Sequence, residues 1–136
     1  MKILVFGNTL VKEDAYPIKI IPKLKELFPE FNFIEADPTE EIKDYGRNLK
    51  IIDCVLGIDS VKELVLKTEK DFEKLELGKN MSMHDFDLGF NLKLLRKTGL
   101  IDSVRVICVP VKIKNHNEIF NDIKKILEGW KNVYKV

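Results

Sequence analysis

Hydrophobic residues recur along the chain in two alternating patterns, short runs typical of strands and wider spacings typical of helices. Five stretches show the strand pattern, at residues 2–6, 31–36, 49–52, 61–66 and 104–109. Three stretches show the helical spacing, at residues 18–28, 88–95 and 119–130. Strands and helices that alternate in this way predict an α/β fold, specifically a three-layer α/β/α sandwich around a largely parallel twisted sheet.

Proline, charge and the ends of apolar runs indicate where several of these elements begin and end. Pro17 suits the first turn of the first helix, whereas Pro22 should either kink that helix or mark its true start. The third strand ends at Asp53 or continues to Leu56. Residues 67–80 are charged and lack a clear period, so we expect a loop or a hairpin there.

Length and charge limit the classes of function. A chain of 136 residues that is 45% hydrophobic can form one full core, and we expect a single domain over residues 1–136. Its 23 Lys and Arg against 22 Asp and Glu leave a net charge of +1, which indicates neither a nucleic-acid-binding face nor an acidic tail. No apolar run approaches the roughly 20 residues of a membrane span. We therefore expect a cytoplasmic protein with no membrane or nucleic-acid partner, as a monomer or a weak oligomer.

Two details of composition concern the cysteines and the source of the protein. Cys54 and Cys108 both lie in apolar, strand-like runs, so we expect two reduced and buried thiols. Lys greatly outnumbers Arg, Ile is abundant and Gln is absent, which together indicate a thermophilic source.

Polar side chains with metal-binding chemistry follow the predicted strands. If the first three strands are parallel, then Asp14, Asp37 and Asp53 all follow strand ends at one edge of the sheet, and His84 precedes a helix on that side. Carboxylates and an imidazole suit a divalent transition ion such as Ni²⁺ or Zn²⁺. Each residue also has an ordinary structural explanation, as a helix lead, a strand end, an Asx-type turn or a packing histidine. On residue pattern alone, both explanations stay open.

Three motifs resemble those of one known family, in the same order and at similar spacing. Gly7-Asn8-Thr-Leu-Val-Lys-Glu13-Asp14 resembles the opening of the hydrogenase maturation endopeptidases. Ile51-Ile52-Asp53-Cys-Val-Leu-Gly57 is similar to their strand that ends in Asp-Ala, and Ser82-Met-His84-Asp-Phe-Asp-Leu88 is similar to their Ser/Thr-x-His-x-x-x-Leu segment. The ending Leu127-Glu-Gly-Trp130 resembles the terminal helix of some members.

The resemblance implies a specific activity. Members of this family remove a C-terminal extension from the large-subunit precursor of [NiFe] hydrogenase after nickel has been loaded, and their fold is a three-layer α/β/α sandwich. The nickel-recognising and catalytic triad then corresponds to Asp14, Asp53 and His84, with nickel supplied by the substrate protein. Substrate binding is assigned to Asn8 and Asp37. The expected enzyme is an aspartic-type, metal-dependent endopeptidase.

The sequence departs from the family pattern mainly in its glycines. Ala15-Tyr16-Pro17 stands where the family commonly has Gly-Val-Gly, and Pro38-Thr39 follows Asp37 in place of Gly-Gly-Thr. The residues after Asp53 lack the usual Gly-rich loop. These changes stiffen and fill the region of the substrate groove. They indicate a distinct, archaeal-type branch with a different hydrogenase partner.

Two other classes of function compete with the endopeptidase. A hydrogenase assembly or nickel-sensing module would keep the site and bind without cutting, an alternative favoured by the altered glycines. A nucleotide-binding α/β protein is the third class, prompted by the strand–loop–helix opening. Gly7-Asn8 has no further glycine before Gly46, so neither a dinucleotide fingerprint nor a P-loop is present.

Overall fold

Five strands form one sheet in a computed structural model of the chain, which describes residues 1–6, 16–36, 42–55, 57–76 and 92–133. The strands are β1 (Lys2–Phe6), β2 (Asn32–Ala36), β3 (Asn48–Val55), β4 (Lys62–Leu66) and β5 (Ser103–Pro110). Their order is β2-β1-β3-β5-β4. All neighbouring pairs are parallel except β4 with β5, which is antiparallel. The predicted α/β fold with a largely parallel sheet is confirmed.

Helices lie on both faces of this sheet. They are α1 (Tyr16–Lys19), α2 (Ile21–Leu27), a 3₁₀ turn (Ile42–Tyr45), α3 (Glu69–Glu76), α4 (residues 92–97) and α5 (His116–Val133). Side chains alternate between the two faces of each strand. On one face, Ile3 and Ile52 are packed with α1, α2 and α5, and on the other, Leu4 and Ile51 are packed with the 3₁₀ turn, α3 and α4. Two buried layers of side chains therefore hold helices against both sides of the sheet, as the sandwich prediction requires.

The boundaries of the first helical region follow its prolines. α1 ends at Lys19 and a separate helix, α2, begins at Ile21, with Pro22 in its first turn. A proline lacks the N–H that an uninterrupted helix would use at this position, so the chain starts a new helix there. Of the two predicted alternatives, a kink at Pro22 or a helix start there, the structure has a new helix that starts at Ile21, after the short helix α1.

The prediction of a loop or hairpin at residues 67–80 is wrong, because Glu69–Glu76 is the helix α3. Its start is a capping box: the Asp71 N–H donates to Thr68 Oγ1 at 3.2 Å, and the Thr68 N–H donates to Asp71 Oδ2 at 3.1 Å. Phe72 is 1% exposed and anchors the helix to the core. The signal was present in the sequence as Thr-x-x-Asp, but the small number of apolar residues concealed the helical period.

The two cysteines differ in exposure, and neither forms a disulfide. Cys54 is buried as predicted, whereas Cys108 is only partly buried. Cys54 lies on the face of β3 that also carries Ile52, while Cys108 is packed against the cluster on the opposite face. The two thiols are thus separated by the sheet itself. In the part of the chain that the structure describes, no helix is long and apolar enough to cross a membrane.

Candidate active site at the carboxyl edge of the sheet

The carboxyl ends of four parallel strands meet at one edge of the sheet. These ends are Phe6 in β1, Ala36 in β2, Val55 in β3 and Pro110 in β5. From β1 the chain continues to β2 on one side, and from β3 it continues toward β4 on the other side. Open α/β sheets bind their ligands beside such a point of divergence, which in this sheet lies between β1 and β3.

Asp53 is a buried carboxylate on β3, beside the point of divergence between β1 and β3. It occupies β3 two residues before the end of the strand, one position beyond the Val5–Ile52 pair that joins β3 to β1. Its exposure is 1%, and its Oδ1 accepts the Cys54 N–H at 2.9 Å. Burying a carboxylate in an apolar strand is unfavourable unless hydrogen bonds or charges compensate, so a buried Asp near the carboxyl edge of a parallel sheet is a functional candidate. Two ends were predicted for this strand, at Asp53 or near Leu56; the strand continues to Val55, so Asp53 lies within it and does not follow its end.

The other predicted site residues lie outside the described residues. Asn8, Asp14, Asp37 and His84 all fall in the gaps between described segments. β1, β2 and β3 are parallel, as the prediction of a shared edge assumed. Within the described segments, no group of three or more His, Cys, Asp and Glu residues could hold a metal ion. The convergence of the triad remains a prediction.

Cys108 is a neighbour of Asp53 that no sequence motif indicated. The two residues are register partners across β3 and β5, so their side chains extend from the same face of the sheet. The apolar residues around Cys108 in the sequence indicated only a buried strand. Asp53 and Cys108 are neighbours because β3 pairs with β5, and these strands are far apart in the chain. A local sequence pattern cannot predict such a pairing.

Tyr16 and His116 join two helix starts at the same edge. Tyr16 Oη donates to the His116 carbonyl oxygen at 3.3 Å, and the two rings lie 5.2 Å apart with an angle of 59° between their planes. Burial raises the pKa of the Tyr16 phenol above its usual value. Pro17 beside it is buried. Tyr16 therefore ties the start of α1 to the start of α5.

A groove of about 610 Å³ opens beside this edge. One wall is the segment between β3 and β4, from Gly57 to Ser60, and the other is formed by residues 111–122 at the end of β5 and the start of α5. Val111 and Ile119 line the groove and are buried. Its volume falls in the range of about 300–1,000 Å³ typical of ligand sites. The groove begins just beyond the strand that carries Asp53.

Comparison with known proteins identifies the fold. No protein-family model and no curated protein sequence matches the chain. Among solved structures, it is similar to the [NiFe] hydrogenase maturation protease HybD from Thermococcus kodakarensis, with a TM-score of 0.63 and 22% identity over 98% of this chain and 99% of that one. It is also similar to an endopeptidase from Escherichia coli, with a TM-score of 0.60 and 20% identity over 95% of this chain and 89% of that one. The chain therefore has the fold of a hydrogenase maturation protease, and the resemblance seen in its motifs is confirmed at the level of the fold.

Proposed function

We propose that this protein is a hydrolase of hydrogenase maturation, an endopeptidase that removes the C-terminal extension of a [NiFe] hydrogenase large-subunit precursor. The observation that carries the proposal is the position of Asp53. Its buried carboxylate lies at the carboxyl edge of a sheet whose fold matches a maturation protease along nearly the whole chain. The motif containing Asp53 is one of the three that resemble this family. The expected partner is the precursor alone, in the cytoplasm.

The surroundings of Asp53 suit a residue that must hold one fixed position. The Cys54 N–H orients one carboxylate oxygen, and the strand backbone on both sides is paired in the sheet. A carboxylate held in this way needs little rearrangement when a charged group arrives, and this preorganisation is what an active site requires. In the proposal, Asp14 and His84 complete the set of donors around it.

The donor set fits nickel as part of the substrate. Two carboxylates and one imidazole without a thiolate form a site of moderate affinity, which is suited to a metal that the precursor already holds. When bound there, nickel would supply a Lewis acid that polarises the scissile carbonyl. The contribution of this chain is to recognise the loaded precursor, through Asp53 together with Asp14 and His84, and to exclude the nickel-free form.

The test is cleavage of a nickel-loaded and a nickel-free precursor by the purified protein, read as a shortened large subunit on a gel. We expect cleavage of the loaded form only. Asp53→Asn should abolish the cut and change the free energy of unfolding by less than about 1 kcal/mol, because the amide oxygen still accepts the Cys54 N–H. Asp14→Asn and His84→Ala should also abolish it. The exposed Asp44, in the 3₁₀ turn before β3, provides the matched control Asp44→Asn, which should cut normally.

Two results would contradict this mechanism. Equal cleavage of the nickel-free precursor would remove the role of the metal in recognition. Full activity of Asp53→Asn would remove Asp53 from the reaction.

A non-proteolytic assembly or nickel-sensing module is the second candidate. The contact between Tyr16 and His116 favours it, because it fixes the start of α1 in the region where the family commonly has glycine. A module of this kind would form a stable complex with the loaded precursor and leave its length unchanged. Size-exclusion chromatography followed by mass spectrometry of the large subunit separates the two candidates.

A further inference from the structure

One row of side chains crosses the carboxyl edge of the sheet on the face that α3 and α4 cover. Cys108 is the register partner of Asp53 on β3 and of Lys62 on β4, so these three side chains extend from the same face. On the other side of Asp53, the next residues in the row are Phe6 of β1 and its register partner Ala36 of β2. Phe6 and Ala36 belong to the core cluster on this face, and Cys108 is packed against it. The row therefore runs across all five strands of the sheet.

Exposure increases along this row from one side of the sheet to the other. Phe6 is fully buried and Ala36 is 7% exposed, so the row is closed on the β1–β2 side of Asp53. On the β5–β4 side, Cys108 is only partly buried and Lys62 is exposed. Adjacent strands lie about 4.8 Å apart, so the buried carboxylate is one strand away from a side chain that reaches the surface. Within the row, Asp53 is therefore approached from the side of β4, past Cys108.

Lys62 gives this open side of the row a positive charge. It forms no ion pair with another residue of the described segments. Its neighbour in sequence, Glu63, extends from the opposite face of the sheet, where its carboxylate accepts hydrogen bonds from Trp130 and Arg105. An exposed ammonium group in this setting attracts anionic groups of an approaching molecule and repels cationic ones.

We propose that Lys62 and Cys108 are specificity-determining residues of the candidate site. Cys108 borders the approach to the Asp53 carboxylate, and Lys62 favours a polypeptide segment that carries carboxylates where it passes β4. This inference rests on the proposed endopeptidase function, because it concerns access to the same site. A group added to the Cys108 thiol would occupy the space next to Asp53, and a negative charge in place of Lys62 would repel an acidic segment.

The first measurement is the reactivity of the two cysteines in the folded protein toward N-ethylmaleimide. The thiol sulfur forms a bond to one maleimide carbon and the thiol proton is transferred to the neighbouring carbon, so mass spectrometry of peptides reports the adduct at each cysteine. We expect Cys108 to react at least about tenfold faster than Cys54, which is 2% exposed. An excess of nickel-loaded precursor should slow the reaction at Cys108. Protein modified at Cys108 should cut the precursor about tenfold more slowly, because the adduct lies beside Asp53.

The second measurement tests the charge of Lys62 at its particular place on β4. Lys62→Glu is compared with Lys67→Glu, because Lys67 is exposed just beyond the other end of β4, at the amino edge of the sheet. The two variants make the same change of net charge. At low salt, KM of Lys62→Glu for the loaded precursor should rise about fivefold while kcat stays within about twofold, and the difference should be smaller at high salt. Lys67→Glu should cut like wild type.

The two proposals fail in different ways. Modification of Cys108 as slow as that of Cys54 overturns the inference, because the row would then be closed on the β4 side as well. If the precursor is cut but does not slow the reaction at Cys108, the inference is overturned and the endopeptidase stands. Equal KM values for Lys62→Glu and Lys67→Glu have the same meaning. Protection of Cys108 by a loaded precursor that is never shortened supports the inference and contradicts the proposed enzyme.

Discussion

Glu63 joins three elements on the face of the sheet that α5 covers, and its removal gives a defined prediction for stability. Its Oε2 accepts a hydrogen bond from Trp130 Nε1 at 2.7 Å and another from Arg105 Nη1 at 3.2 Å. Trp130 is 3% exposed and belongs to α5, whereas Glu63 and Arg105 belong to the paired strands β4 and β5. One carboxylate oxygen therefore ties the helix that borders the groove to the edge of the sheet.

Glu63→Ala removes both contacts at once. The larger loss is at Trp130, because an indole N–H that stays buried without an acceptor costs about 1–3 kcal/mol. The ion pair with Arg105 is partly exposed, at 30% and 23% of the two side chains, and adds at most about 1 kcal/mol. We expect a decrease of about 2–3 kcal/mol in the free energy of unfolding. With an unfolding entropy of about 0.3 kcal/mol/K for a chain of this length, the Tm should fall by about 7–10 °C.

The assay is thermal unfolding of wild type, Glu63→Ala and Glu63→Gln, followed by circular dichroism. Glu63→Gln is the matched control, since its amide oxygen can still accept the Trp130 N–H while the charge opposite Arg105 is lost. It should cost about 1 kcal/mol or less. Equal losses in the two variants would refute the reasoning, because they would assign the stabilisation to charge and not to the indole hydrogen bond.

The remaining predictions concern local features. Thr68→Ala should destabilise the protein by about 1 kcal/mol by removing the acceptor of the Asp71 N–H, measured by urea unfolding, and Thr68→Ser should restore most of the loss. A loss as large as that of a core truncation would show that Thr68 does more than cap α3. The pKa of Asp102 lies below its usual value because the Arg47 guanidinium donates two hydrogen bonds of 2.9 Å to it. A lowered folded-state pKa means that the pair stabilises the fold at neutral pH and that this contribution is lost as the pH falls through the folded-state pKa. On acidification, the free energy of unfolding of wild type should therefore fall by more than that of Asp102→Asn. If the two proteins lost stability in parallel as the pH fell, the Arg47–Asp102 pair would make no such contribution.

The sequence alone located some residues of the candidate site and not others. The motif around Asp53 identified this carboxylate, and the structure shows that it is buried at the carboxyl edge of the sheet. The positions of Asp14 and His84 relative to it stay predictions. The partner position of Cys108 and the contact between Tyr16 and His116 were not predicted, because each joins segments that are distant in the chain.

The local pattern of hydrophobic residues determined most of the secondary structure. β1 has the predicted bounds, and the β4 and β5 patterns were placed within one residue, because an apolar run flanked by polar residues is stable only where it is buried in a sheet. Helix α3 was missed because its sequence has little apolar period, whereas its start is held by a capping box and by the buried Phe72. Only the tertiary structure decided the order β2-β1-β3-β5-β4 and the reversal of β4. Pairing and packing between distant segments depend on which surfaces fit together in three dimensions, and the same long-range contacts bring residues 57–60 beside residues 111–122 to form the groove.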